Sequence, residues 1–170
     1  MDATELQELQ APLKARYRED PDAAKITLRA DAELDSVSVA CSVQTGQAAV
    51  KAGLHPATGG DGSLACSGDM LLQALAACAG VTMRAVATSL GISVEGGAVS
   101  AEGDLDFRGT LAVDKGAPVG FTNIRLAFEL SSDEPQERLD KLLELTLRYC
   151  VVYQTLAGAP TLRAELHRAP

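Results

Sequence analysis

Four cysteines, two histidines and one glycine-rich loop are the groups in this 170-residue chain whose types and spacing suggest chemistry. Cys41, Cys66, Cys78 and Cys150 are separated by 25, 12 and 72 residues, which gives no Cys-x-x-Cys pair and no zinc-knuckle spacing. An even number permits two structural disulfides. The opening Met1-Asp2-Ala3-Thr4-Glu5, however, lacks the basic-then-apolar pattern of a secretory leader, so the expectation is a cytoplasmic protein with reduced thiols. His55 and His167 have no His, Cys or Asp at ligand spacing, and no metal is expected. Gly60-Asp61-Gly62-Ser63-Leu64-Ala65 fits G-x-G-x-x-A before a helix. No apolar strand leads into it, no acidic residue follows about 20 positions later and no Gly-Lys-Ser/Thr is present, so no nucleotide cofactor is expected. A nucleophile elbow for a serine triad is also missing.

Two of the cysteines stand out by position. Cys78 lies in Leu75-Ala76-Ala77-Cys78-Ala79-Gly80, inside a long apolar segment, and Cys150 ends the apolar stripe Leu139, Leu142, Leu143, Leu147. Free cysteine packs like a small hydrophobe, so plain core is one reading of each. Two features favour chemistry. Both sulfurs fall on apolar faces of the two strongest core helices, where they can meet as a nucleophile and a resolving thiol must. The side chains around Cys78 are also very small and leave room for a substrate. An ordinary thiol of pKa about 8.5 is about 3% thiolate at pH 7; lowering it to about 6 raises that fraction roughly thirtyfold, for about 3.4 kcal/mol. A cation or hydrogen-bond donor must supply that. If the second helix ends near Cys150, its negative end raises that thiol, whereas Cys78 at mid-helix escapes the penalty.

Composition sets the class. With 46% apolar and 22% charged residues the chain is globular, and its length suits one domain with a real core. Fifteen Lys and Arg against 23 Asp and Glu give a net charge of -8, with six aromatic residues and no Trp. A nucleic-acid partner is not expected from such a surface. The segment from Met70 to Leu90 is the one stretch resembling a membrane span. It is Ala-rich, interrupted by Gln73 and Arg84, and reads instead as the central helix of the core.

The elements that position the thiols follow from periodicity. A helix is expected from Ala3 to Arg18, limited by Pro12 and closed by Asp20-Pro21-Asp22. Strands are expected over 25–30 and 37–43, the second carrying Cys41 beside Val37, Val39 and Val43. Gly53 to Gly68 reads as a long loop leading to the central helix, capped by Ser67 and ended by Gly91. Strands follow over Ile92–Glu95, Ala98–Phe107 and Asn123–Leu130. A second helix opens with capping-box spacing at Asp133-Glu134-Pro135-Gln136, and a last strand runs from Thr161 to Leu166. The order ββ-α-βββ-α-β is that of an α+β domain.

Ser67-Gly68-Asp69-Met70-Leu71-Leu72-Gln73-Ala74-Leu75-Ala76-Ala77-Cys78, with a glycine-rich loop before it and Arg148-Tyr149-Cys150 some seventy residues later, resembles the OsmC/Ohr superfamily of osmotically inducible and organic hydroperoxide resistance proteins. The likeness runs roughly from residue 25 to 166. It implies an OsmC-like domain over 25–170 behind an N-terminal helical extension, 1–24, with antiparallel sheets wrapped around two long central helices in an intertwined homodimer. It further implies reduction of an organic hydroperoxide at the subunit interface, with recycling by a dithiol or lipoylated-protein reductant and no part for nucleic acid or membrane. Cys78 matches the peroxidatic position and Cys150 the resolving one.

Where relatives carry Pro-Glu ahead of the helix this chain has Gly68-Asp69, which makes Asp69 the candidate carboxylate; Val151 replaces the proline after the second cysteine. Nine residues of helix put Asp69 half a turn round from Cys78 and about 13 Å along the axis. In an unbroken helix it therefore serves the partner's thiol. The family's activating arginine has no clear match, and Arg29, Arg84, Arg108 and Arg148 are the candidates. A non-catalytic relative that binds a small apolar ligand at the interface is the alternative these departures suggest.

Overall fold

The computed structural model describes residues 2–20, 32–34, 40–44 and 49–168. The long apolar segment folds as helix α2, Ser67–Leu90, a single turn forms α3, Phe107–Thr110, and the amphipathic segment folds as α4, Gln136–Tyr149. In α2 the buried positions are Leu75, Ala79, Met83 and Ala87, spaced by four. That stripe runs along one face of the helix. Against it pack α4 and the antiparallel hairpin of β5, Gly96–Asp104, and β6, Asn123–Ser131. Met83, Ala87, Ile92 and Leu142 form the buried centre, closed by Val86, Val94, Phe128, Leu130 and Leu139. β6 alternates as its sequence requires: Ile124, Leu126, Phe128 and Leu130 turn inward between exposed neighbours.

A second sheet joins β1, Ala32–Leu34, β2, Ala40–Gln44, β3, Ala49–Gly53, and β4, Ala65–Cys66, in that order. Its first two pairings are antiparallel, and β4 adds to β3 in parallel, Gly53 opposite Cys66. This short parallel pair delivers the chain straight into α2. The amino-terminal helix α1, Ala3–Glu19, rests against α2. It runs through Pro12, which removes one backbone hydrogen bond without ending it.

The elements expected from periodicity differ from these at several points. The expected strand over 25–30, and residues 37–39 of the next, lie outside the described residues. The long loop begins with the last residue of β3 and contains a 3-10 turn, Pro56–Thr58, as well as β4. Ile92–Glu95 is not a strand, although the Glu95 amide already bonds to the Ser131 carbonyl. Cys66, not Ser67, holds the N-cap position of α2, and Pro135, not Asp133, that of α4; neither makes a side-chain cap bond. Gly91 ends α2 in the left-handed region at φ 61, as glycine there allows. Arg138 of α4 binds the carbonyls of Leu90 and Gly91 and pairs with Glu134, tying the end of α2 to the start of α4.

The largest difference is at the carboxyl end. Helix α5, Val151–Gly158, follows α4 at once, and residues 161–166 form no strand. Leu162 and Leu166 project almost fully into solvent.

Candidate active site

Cys150 is the single residue between α4 and α5, with extended backbone at φ -72, ψ 108. Its amide still bonds to the Thr146 carbonyl and its carbonyl accepts from the Gln154 amide. It therefore closes one helix and starts the next. Its side chain is completely buried, in contact with no solvent. α5 begins without a side-chain cap, which leaves the amides of Val151, Val152 and Tyr153 with no partner inside the helix. α5 packs against α2, which sets these amides near two sulfurs.

One sulfur belongs to Cys78, half-buried in the middle of α2. The Val152 amide, the Cys150 thiol, the Val151 amide and the Thr82 hydroxyl are the neighbours that favour its ionised form. The other is that of Cys150 itself, reached by the Tyr153 and Val152 amides. Both cysteines are free thiols.

The pair is electrostatically unequal. Desolvation pushes the Cys78 thiol up, but the Val152 amide, the Cys150 thiol, the Val151 amide and the Thr82 hydroxyl together outweigh it. Its pKa lies below the ordinary thiol value. Burial pushes Cys150 up, and donation to an ionised Cys78 pushes it further; the Tyr153 and Val152 amides offset only part. The expected ordering of the two thiols is present, for a different cause. Burial dominates at Cys150, and the start of α5 opposes the negative end of α4 there. At Cys78 the lowering comes from neutral donors.

Asp69 is exposed in the first turn of α2, and the helix is unbroken from it to Cys78. The two residues of one chain are not brought together. Among the candidate arginines, Arg29 lies outside the described residues. Arg84 bonds the Val94 carbonyl, Arg108 pairs with Asp106 and Asp114, and Arg148 lies over the Tyr149 ring at 5.8 Å. None of these three is among the groups acting on Cys78. Cys41 pairs in β2 opposite Ala52, and Cys66 is half-buried at the start of α2. His55 accepts the Ala57 amide through Nδ1 and stacks on Phe107, while His167 pairs with Glu165 in solvent.

The amides of α5 and the Thr82 hydroxyl were not anticipated from the sequence. Backbone donors carry no residue signature. Two signals did exist: Thr82 stands four residues after Cys78, the spacing of helix neighbours, and Gly158 with Pro160 marks the stop of a helix beginning after Cys150.

An apolar cavity of about 570 Å³ lies between β6, α4, α5 and α2. Leu75, Leu126, Phe128, Leu147 and Tyr153 line it. Leu75 precedes Cys78 by three residues, and Leu147 and Tyr153 flank Cys150 by three on either side.

α2 is the one described helix long and apolar enough to cross a membrane, with a mean hydropathy of 1.5. Its buried stripe and the elements covering it make it the core helix of this fold.

Comparison with known proteins agrees with this fold. No curated protein matches the sequence. Among solved structures, an OsmC like protein from Mycoplasma pneumoniae superposes with a TM-score of 0.66 at 19% identity, covering 79% of this chain and 89% of that one. An organic hydroperoxide resistance protein OsmC from Legionella pneumophila gives 0.62 at 20% identity, over 79% of this chain and 92% of that one. The organic hydroperoxide resistance protein OhrB of Bacillus subtilis gives 0.52 at 16% identity, over 78% and 92%. A family model described as OsmC-like protein matches residues 60–165, a stretch that holds α2, the hairpin, α4, α5 and both facing thiols. The chain belongs to the OsmC-like protein family.

Proposed function

We propose that this protein reduces organic hydroperoxides through Cys78 and Cys150. The observation that carries the reading is the meeting of two free thiols of opposite tendency, one lowered and half-exposed, the other raised and buried. The Cys78 thiolate attacks the outer oxygen of the hydroperoxide. The O–O bond breaks, the alkoxide leaves and takes up a proton to become the alcohol, and Cys78 becomes a sulfenic acid. The Cys150 sulfur then attacks that sulfur. The S–O bond breaks, the oxygen departs as water with the Cys150 proton, and a disulfide forms. A dithiol reductant, free or carried on a lipoylated protein, is oxidised in returning both cysteines to thiols.

The apolar cavity, which is walled by Leu75, Leu147 and Tyr153 and by neither cysteine, supports a preference for organic over hydrogen peroxide, since its walls favour an alkyl or aryl group. A reducing, cytoplasmic setting suits free thiols. Leu71 and Val81 on the uncovered side of α2 are exposed, Val81 by 73%. A second copy covering that face fits the homodimer reading, and it brings the partner chain's Asp69 toward Cys78 as a positioning carboxylate. The test is titration of the reduced protein with cumene hydroperoxide, followed by mass spectrometry. Formation of a Cys78–Cys150 disulfide and release of cumyl alcohol are expected.

The same cavity favours one other reading, a non-catalytic protein that holds a small apolar ligand. Saturable binding of cumyl alcohol with both thiols unchanged by the hydroperoxide would select it.

A further inference from the structure

Phe121 stands two residues before β6 and forms part of the wall of the apolar cavity. Its ring is seated where the hairpin has no side chain to obstruct it. A β-carbon on Gly103, opposite Ile124 in the β5–β6 ladder, would lie 2.5 Å from both Cδ1 and Cε1 of the ring. Glycine at 103 is therefore what admits the ring. Its Cζ end reaches the first turn of α2, 3.5 Å from where a β-carbon of Gly68 would be. The chain beside it is pinned, because the Thr122 amide and hydroxyl both donate to the Asp104 carbonyl, at 2.9 and 3.1 Å.

Gly68 and Cys78 are ten residues apart in unbroken α2, which sets the ring about 15 Å along the helix from that thiol. Between them Leu75 lines the cavity one turn before Cys78, and Leu147 and Tyr153 line it three residues to either side of Cys150. The cavity thus extends from the turns next to the thiols to a fixed aromatic wall. We propose that Phe121 is a specificity-determining residue: its ring, seated on Gly103, is the end wall that sets the longest straight-chain alkyl hydroperoxide the cavity takes. This deepens the hydroperoxide-reductase reading and rests on it. Each methylene that leaves water for the cavity strengthens binding about fourfold. The gain ends where the chain meets a ring that cannot yield, since overfilling a packed site is unfavourable.

The test is titration calorimetry of the reduced full-length protein with a series of straight-chain primary alcohols, the products such peroxides leave. In the wild type, affinity is expected to climb about fourfold per methylene and to stop climbing at one chain length. In Phe121→Ala that break is expected to move to longer chains. An alcohol two methylenes past the wild-type break should bind the variant about tenfold tighter than wild type, while shorter alcohols bind both alike. A break at the same length in both proteins overturns the proposal. So does a loss uniform along the series, the mark of a merely structural role. Should alanine disturb folding, as a circular dichroism melt would reveal, Phe121→Leu and Phe121→Trp decide: leucine must lengthen the accepted chain and tryptophan must shorten it. No peroxide enters this assay. A wild-type protein that binds the alcohols but consumes no straight-chain hydroperoxide ends the reductase reading, while the position of the break still judges Phe121.

Discussion

The sulfur of Cys78, at the middle of α2, faces the thiol of Cys150 at the point where α4 gives way to α5. The two residues are 72 positions apart in sequence, and the packing of α5 on α2 brings them together. Within this pair the proposed roles follow environment. The half-exposed sulfur has several donors, and the fully buried one has desolvation against it.

Cys78→Ser is expected to abolish consumption of tert-butyl hydroperoxide, because the attacking thiolate is gone while the helix stays intact. A ferrous-xylenol orange assay of residual peroxide checks this. Undiminished turnover would end the proposed chemistry.

Cys150→Ser removes the resolving thiol and one donor to Cys78. The first oxidation should still occur, more slowly, and stop at the sulfenic acid. Dimedone should then add to Cys78 with a mass increment on that residue alone.

The two thiols should also separate by pH. Cys78 lies below the ordinary thiol value and Cys150 above it. As pH rises, Cys78 ionises first, and its reaction with iodoacetamide should have its midpoint below that of an ordinary thiol. Cys150 should stay unlabelled through that range, both protonated and buried. In stability the signs are opposite. The depressed Cys78 contributes stability above the pKa it has in the unfolded chain, lost as pH falls through its folded value; the raised Cys150 contributes below its unfolded pKa, lost as pH rises through its folded value. Simultaneous labelling of both across the range would contradict the assignment.

Asp69 allows a test of subunit exchange. Chains carrying Cys78→Ser and chains carrying Asp69→Asn are each expected to be impaired. Co-expressed, they should regain part of the activity, because a mixed dimer pairs an intact Cys78 with an intact Asp69 from its partner. No recovery would place any effect of Asp69 within its own chain.

Leu142 is fully buried beside Met83, Ala87 and Ile92. Leu142→Ala should destabilise the fold by about 2–5 kcal/mol through lost burial and the cavity left behind. Urea unfolding at fixed protein concentration measures it.

Much of the architecture was legible because it rests on long periodic segments. α2, α4 and β6 announce themselves by apolar stripes of helical or alternating spacing; α2 carries Cys78, α4 ends just before Cys150, and β6 forms one wall of the cavity. Shorter elements were not legible. β4 has two residues and exists through its pairing with β3, and a pairing across the chain has no local signal. Val151-Val152-Tyr153 begins a helix with β-branched residues, against its own propensity, because α5 packs on α2 with Val152 and Tyr153 half-buried while Val151 stays exposed. Thr161–Leu166 alternates like a strand but pairs with no strand among the described residues. Asp133 and Gln136 have capping-box spacing, yet the helix starts two residues later, with Pro135 at the N-cap. The site follows the same division. Its side chains could be named in advance; its backbone amides could not.

An uninterrupted helix from Gln136 to Gly158 would be the more regular object, and it would be chemically mute. Every peptide N–H along it would be tied to a carbonyl four residues back, leaving nothing to greet a negative sulfur from the neighbouring strut. One extended residue at position 150 undoes that self-sufficiency. Any change that straightens the joint, even one far from either thiol, therefore disarms the protein without touching a cysteine.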